Sequence, residues 1–468
     1  MPSSPPRPGL FWFRRDLRLE DNAALSLAAK HEGGLALIYV LDPGQDRSNA
    51  AHWWLKRSLA ALNADLARLG QNLFVFEGSP LEVIPALAKR IDAGRVLWNL
   101  VFEPESREQD ALLEEKLRAS GVEVETGQSS HLFPPGTVLN KSGQPFRVFT
   151  PFWRSCRQYL PIPRIAPAPK RLPPPLKLDG HIDLDARQEP AWSSQFAQYW
   201  QPGERGAKRR LSDFIDNKLA DYGRRRDQPG IDGTSRLSAH LHFGEIGPLQ
   251  ILAALEKKRL SGAGSEDGRE KFLSELGWRE FSTHLLAQFP QLERLEFRPE
   301  FRSHPWKSDA ATLKAWRKGQ TGIPIVDAGM RELWTTGWMH NRVRMIAASF
   351  LVKQLQQDWR LGLAWFKETL LDGDAASNGA GWQWVAGTGA DAAPYFRIFN
   401  PVLQGRKFDA DGCYVRRWVP EIAHLANEHL HAPWLADDAK HLAYPPPLVD
   451  LAKARTLALA ARQKSVTC

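Results

Sequence analysis

Short runs of strand length alternate with stretches of helical spacing along the first third of the chain. Leu10–Phe13, Leu35–Leu41, Leu73–Phe76, Val96–Leu100 and Val122–Thr126 predict five strands. The spacing between them predicts a helix opening near Asp21 and running to Lys30, then helices over Ala51–Leu69, Pro80–Ile91 and Ser106–Ser120. Strands separated by helices predict an α/β domain over residues 1–135, with a doubly wound parallel five-stranded sheet. Ligands of such sheets sit at the carboxyl ends of the strands. No G-x-G-x-x-G occurs, so an ordinary dinucleotide site is not expected.

Residues 136–200 turn Pro-rich, with Pro173, Pro174 and Pro175 in succession, and read as an extended connector lying over the surface. Strand patterns then fade. Over residues 201–468 the spacing predicts helices at Ala207–Tyr222, Gly247–Arg259, Glu270–Gln288, Ala310–Gly319, Val326–Trp334, Met339–Asp358 and Arg360–Leu371. This second domain is expected to be mostly α-helical.

Composition narrows the picture. A chain of 468 residues exceeds one ordinary core. A net charge of +9 permits a polyanionic partner without identifying one, and an inert basic surface fits equally well. The three cysteines, Cys156, Cys413 and Cys468, cannot hold a four-cysteine cluster and have no metal-ligand spacing, so no metal is expected. They suit a reducing cytoplasm. Met1–Pro8 has no apolar core of a signal peptide, and no apolar run approaches a membrane span. The 18 tryptophans stand out, above all the pair Trp53-Trp54 and the triplet Trp382-Gln383-Trp384. So many indoles suggest aromatic surfaces that stack on a ligand.

Three segments carry polar chemistry. Gly233–Ser238 offers hydroxyls and backbone N–H groups before a helical run, fitting either a phosphate site or a simple helix cap. Trp338, Asn341, Arg342 and Met345 are expected on one helix face, a lining suited to a planar polar ligand. Asp372-Gly373-Asp374, followed by Asn378, suits a metal, a solvated turn or the hydroxyls of a ribityl or ribose chain. Arg344 is the natural charge partner of Asp372.

Several motifs together resemble the DNA photolyase/cryptochrome family. They are Phe11-Trp12-Phe13-Arg14-Arg15-Asp16-Leu17-Arg18 with Asp21-Asn22, Thr234–Ser238, Trp278–Phe281, Met339–Arg342, Gly381–Trp384 and Asp391–Pro401. The resemblance spans almost the whole chain and is weakest in the Pro-rich connector. It implies FAD bound in a U shape by Tyr222, Thr234, Ser235, Arg236, Leu237, Ser238, Trp338, Asn341, Arg344, Asp372, Gly373, Asp374 and Asn378. Asn378 would face flavin N5, where plant cryptochromes carry Asp, which leans toward repair rather than signalling. Trp382, Trp359 and Trp306 match an electron chain running outward from the flavin.

The same resemblance implies damaged DNA as partner. Glu275, protonated in an apolar pocket, would hydrogen-bond the lesion, and Trp278 and Trp384 would stack on it. Arg279, Asn341, Arg342, Met345, Arg397 and Gln404 would complete the DNA site. Asn341 and Met345 stand where enzymes for (6–4) products carry histidines, which points to cyclobutane dimers. Arg224, Arg225, Arg226 and Lys407 are phosphate-contact candidates, a solvated charge run being the plain alternative for the first three. An antenna chromophore is implied, methenyltetrahydrofolate in preference to a deazaflavin, with His52-Trp53-Trp54-Leu55 as its candidate stacking segment, a packed helix face being the equal alternative, and Glu103 and Glu105 as polar anchors. The expectation is a cytoplasmic, monomeric repair lyase. The rivals are a cryptochrome-type photoreceptor and a flavoprotein that only binds DNA.

Overall fold

The structure is a computed structural model that describes residues 6–42, 49–183, 189, 191–261, 266–391, 397–437 and 439–467. Five parallel strands, β1 (Gly9–Phe13), β2 (Leu35–Leu41), β3 (Leu73–Glu77), β4 (Arg95–Asn99) and β5 (Glu123–Gly127), form one sheet in the order β3-β2-β1-β4-β5. Every residue of β1 and β2 is buried, as strands covered on both faces must be. Side chains alternate between two cores. Leu10, Trp12, Ile38 and Trp98 point one way, and Phe11, Phe13, Leu37 and Leu97 the other. The helices between the strands are α1 (Ala23–Ala28), α2 (Ala50–Ala67), α3 (Pro80–Arg90) and α4 (Pro104–Ala119), each within a few residues of its predicted span.

The arginine- and aspartate-rich segment after β1 fastens this sheet to the helical region. Asp16 gathers Arg14 N (2.6 Å) and Asn99 Nδ2 (2.6 Å) on its carboxylate. Arg18, fully buried, donates to the carbonyls of Gly244 (2.9 Å), Asp21 (2.7 Å) and Ser129 (2.7 Å). Gly244 sits at φ +68°, and a Cβ there would come within 1.9 Å of the Arg15 carbonyl oxygen, so glycine is required. The core face of Phe11 and Phe13 continues through Trp53, Trp54, Phe196, Trp200, Phe243 and Trp338.

Two expectations fail here. The Pro-rich stretch contains a helix, α5 (Phe149–Gln158), whose Phe149, Phe152, Trp153 and Cys156 are buried in the helical region's core. Pro151 lies in its first turn, where a missing N–H costs nothing. The stretch after it runs extended, with Pro174 O accepting from Leu35 N (2.8 Å) beside β2, before a 3-10 helix at Ala191–Gln198. The predicted helix Met339–Asp358 is instead Asn341–Ser349 followed by a π-helical turn, Phe350–Gln354. Lys353 Nζ, donating to Ala386 O (2.6 Å), and the bridge of Gln357 to Lys307 pull the chain off its helical path.

The remaining helices that position the site are Glu266–Gln288, Trp359–Thr369 and Ala375–Ala386. The last of these has no counterpart among the predicted helices. Its glycines and alanines blur the apolar period, yet Asp374 caps it, accepting from Ser377 N at 2.7 Å.

Candidate functional site

Three adjoining cavities open between these helices, and all three are lined by Asn341 and Ser377. The outer one, about 500 Å³, is walled by Trp278 and Trp384 with Glu275, Arg279, Arg342 and Met345 around it. A middle one, about 160 Å³, is lined by Arg344, Met345, Phe366, Asp372, Asn378 and Trp382. The third, about 260 Å³, is lined by Tyr222, Thr234–Ser238, Trp338, Asp372 and Asp374. The structure brings most of the predicted site residues around these adjoining cavities; Trp306, Trp359, Gly373, Arg397 and Gln404 line none of the three.

Local chemistry explains how each side chain is held. His340 starts the helix Asn341–Ser349: its Nδ1 accepts from Arg342 N at 3.2 Å. Burial drives its pKa down to about 3, so the ring stays neutral and can accept. Asn341 and Met345, one turn apart, then face the cavities together. Trp338 precedes this helix rather than extending its face, and reaches the cavity beneath the Arg236 guanidinium, 4.8 Å from its ring. Arg236 itself holds φ +50°, unusual for a long side chain and the kind of strain that collects at binding loops. The Thr234–Ser238 hydroxyls do not cap the following short helix, Ser238–His242. They line the third cavity instead.

Arg344 Nη2 meets Asp372 Oδ2 at 2.9 Å, as the sequence suggested. Asp374 lies 3.8 Å from Arg15, which also pairs with Glu103 where the strand order reverses between β1 and β4. Burial opposes the charge on Asp374, but the neighbouring His242 and Arg15 hold its carboxyl below the usual range. Burial pushes the Tyr222 hydroxyl up, keeping it a neutral donor. Asn378 is buried with Nδ2 3.3 Å from Leu363 O.

The residues present fit FAD. Asp372 Oδ1 and His242 Nδ1 are buried without a hydrogen-bond partner among the described residues, and both side chains line the third cavity. Polar atoms left so within a cavity suit a ligand rich in hydroxyl and phosphate oxygens. Gly373 lies between its two aspartates without lining a cavity.

The outer cavity is bounded by stacked aromatics. Trp278 lies on Phe149 of α5, ring centroids 3.7 Å apart and 10° from parallel. Glu275 does not sit in an apolar pocket: Arg226 Nη1 donates to its Oε1. Ser377 and His242 are site residues that sequence reasoning passed over, and Arg226, expected at a phosphate, lines the outer cavity instead. The run Arg224–Arg226 splits, the first two lying outward on Asp221 and the third turning in to Glu275. Arg342 pairs with Asp227 (2.9 Å) and lies over Phe408. Arg397 is exposed against Phe399, and neither it nor Gln404 lines the cavity. Ala392–Phe396 of the Asp391–Pro401 motif lie outside the described residues.

Trp382 is buried, its ring filling the space that a Cβ on Gly362 would invade at 2.1 Å. Trp359 is fully buried and Trp306 partly so. Of the two readings of Trp53-Trp54, the packed helix face is the one found. Both indoles are fully buried, Trp54 donating to Glu245 Oε1 (2.9 Å) and Trp53 packed edge-on to Phe196. Glu103 is taken by Arg15, and Glu105 is almost wholly exposed. A separate cavity of about 760 Å³ is lined by Trp334, Trp365, Trp418, Lys314, Arg317 and Arg331. Trp334 and Trp365 there lie 3° from parallel.

Comparison with known proteins agrees with this geometry. The family described as FAD binding domain of DNA photolyase matches residues 272–464, and that described as DNA photolyase matches residues 9–174. A deoxyribodipyrimidine photo-lyase of Agrobacterium fabrum is 45% identical, over 97% of this chain and 97% of that protein. Cryptochrome-2 of Arabidopsis thaliana is 35% identical over 96% of this chain and 77% of that protein. The crystal structure of a bacterial class III photolyase from Agrobacterium tumefaciens superimposes with a TM-score of 0.95 at 43% identity, covering 100% of this chain and 99% of that one. The chain belongs to the DNA photolyase/cryptochrome family. Within it, the chain is closely related to the bacterial class I and class III photolyases, and residues 272–464 are its FAD-binding domain.

Proposed function

We propose that this protein is a light-driven DNA-repair lyase that splits cyclobutane pyrimidine dimers with reduced FAD. The observation that carries the reading is the continuity of the aromatic-walled outer cavity with the polar inner ones through Asn341 and Ser377. A lesion between Trp278 and Trp384 would thereby adjoin the cofactor. When bound, reduced FAD supplies a light-driven one-electron transfer to the dimer. The chain's own residues do the rest. Trp278, braced by Phe149, and Trp384 flank a flipped, poorly paired dimer. Glu275 and Arg226 offer an anchored pair at its polar edge. Asn378 would offer a neutral amide to the ring system, and the Asp372–Arg344 pair would hold the ribityl hydroxyls. Arg342 would contact a phosphate by exchanging its partner Asp227 for it. The protein would act as a monomer in the cytoplasm.

The 760 Å³ cavity supports a methenyltetrahydrofolate antenna away from Trp53-Trp54. Its indoles suit a pterin, and Lys314 and Arg317 suit the glutamate carboxylates, Arg331 being held by Glu421 (2.8 Å). The helix Trp359–Thr369 separates it from the flavin space, with Trp365 facing one cavity and Phe366 the other. That spacing, about 10 Å across a helix, suits energy transfer. Reconstituted Trp334→Ala protein should lose folate absorption and keep flavin absorption; full folate retention would overturn the assignment. For the lesion, oligonucleotides carrying a cyclobutane dimer or a (6–4) product should be illuminated in parallel. Repair confined to the first is expected, and repair of the second would refute the lesion assignment.

A further inference from the structure

The three indoles of the electron chain differ in what their N–H groups meet. Trp382 Nε1 is buried and has no acceptor among the described residues. Trp359 and Trp306 donate to one shared atom, Glu296 Oε1, at 3.1 Å and 3.2 Å. Glu296 is 1% exposed, so little water screens its charge. Its loop is pinned to the helix carrying Trp382, since Phe297 N donates to Gln383 Oε1 (2.8 Å). Arg360 reaches Oε1 at 3.5 Å and is itself held by Asp358 at 2.8 Å, while Arg302 Nε donates to the backbone oxygen of Glu296 at 3.4 Å. His304 packs edge-on to Trp306, but burial lowers its pKa to about 4, so it adds no charge near neutral pH.

We propose that Glu296 is a positioning residue for photoreduction: its carboxylate favours positive charge on Trp359 and Trp306 over Trp382, and so draws the oxidising equivalent outward. This rests on reading the three indoles as an electron chain. Trp382 gives one electron to photoexcited oxidised FAD, Trp359 replaces it, and Trp306 replaces that of Trp359. Trp306 is left one electron short until a thiolate in the medium returns one and is itself oxidised. Both indole protons stay on nitrogen, hydrogen-bonded to Glu296. Without the anion, the charge would linger on Trp382 and recombine with the flavin. A purely structural carboxylate would serve equally well as its amide.

Flash photolysis of the FAD-loaded protein separates these accounts. Glu296→Gln keeps an oxygen acceptor but removes the charge. It should lower the microsecond yield of oxidised tryptophan several-fold, and Glu296→Asp should restore part of it. Arg360→Gln, which removes the opposing cation, should act in the reverse sense and prolong the charge-separated state. The indole N–H marker bands in ultraviolet resonance Raman spectra should stay hydrogen-bonded in Glu296→Gln. Wild-type yield and decay in both Glu296→Gln and Arg360→Gln would overturn the proposal. Trp306→Phe tests the reading beneath it. If that variant loses the long-lived state while Glu296→Gln keeps it, only the role of Glu296 falls. If Trp306→Phe also keeps it, the electron chain itself is wrong.

Discussion

Among the described residues Asp372 is satisfied on one oxygen only, by Arg344, while its other oxygen has no partner beside the inner cavities. Asp372→Asn should therefore act twice. It unpairs a partly buried guanidinium, at a cost on the order of 3 kcal/mol, and it withdraws a charged acceptor from the cofactor. The ratio of flavin to protein absorbance after purification should fall several-fold; an unchanged ratio would remove Asp372 from the site. Glu280 gives a prediction in pH. Burial raises its pKa to about 7, against the pull of Arg279 and the Phe133 and Leu132 N–H groups. The folded state then holds a proton that the unfolded state releases near pH 4.3, so this group's contribution is fully present below that value and is lost as pH rises through 7. The loss approaches about 3 kcal/mol. Glu280→Gln, which cannot ionise, should gain stability relative to wild type between pH 5 and pH 8 in denaturant titrations; a difference independent of pH would contradict the assignment. At this scale the sequence was informative where a residue type has one use, as in the Asp372–Arg344 pair. It failed where the use depends on neighbours. Nothing in the run Arg224-Arg225-Arg226 says that only the third turns inward, and nothing near Glu275 says that an arginine from another helix will meet it.

At the scale of elements, strands and long helices were legible because their apolar period survives in the sequence. The helices α5 and Ala375–Ala386 were not. The first hides behind Pro151 inside a Pro-rich stretch, and the second is built of small residues that show no stripe. The break at Phe350–Gln354 is equally invisible, since it is imposed by contacts from Lys307 and Ala386. Elements meet at glycines whose need is tertiary. Gly362→Ala would drive a methyl into the Trp382 ring. It should destabilise the helical region by about 2 kcal/mol or more and reduce flavin retention, measured by the denaturant midpoint and flavin release. Gly244→Ala, strained in both φ and contact with Arg15, should loosen the sheet from the helices and make the connector more sensitive to limited proteolysis. Wild-type digestion patterns would contradict that role for the Arg15–Arg18 fastening.

Across the whole molecule, the net charge of +9 acquires a direction only through the site. Arg226, Arg279 and Arg342 border the outer cavity, so affinity for a dimer-containing duplex should fall steeply with salt. Arg342→Ala should lower the slope of log K against log salt by about 1, read by fluorescence anisotropy; an unaltered slope would place phosphate contact elsewhere. No described helix is long and apolar enough to cross a membrane. Resemblance to both photolyases and a plant cryptochrome makes the choice between repair and sensing a matter of the outer cavity, where aromatic walls, Glu275 and Asn341 stand together. The deciding measurement is absorbance recovery of a thymine-dimer oligonucleotide mixed with the chemically reduced, FAD-loaded protein, under blue light and in the dark. Recovery of thymine absorbance only in the light is expected. A protein that binds the oligonucleotide, holds reduced FAD and yet restores no absorbance under illumination would contradict the account.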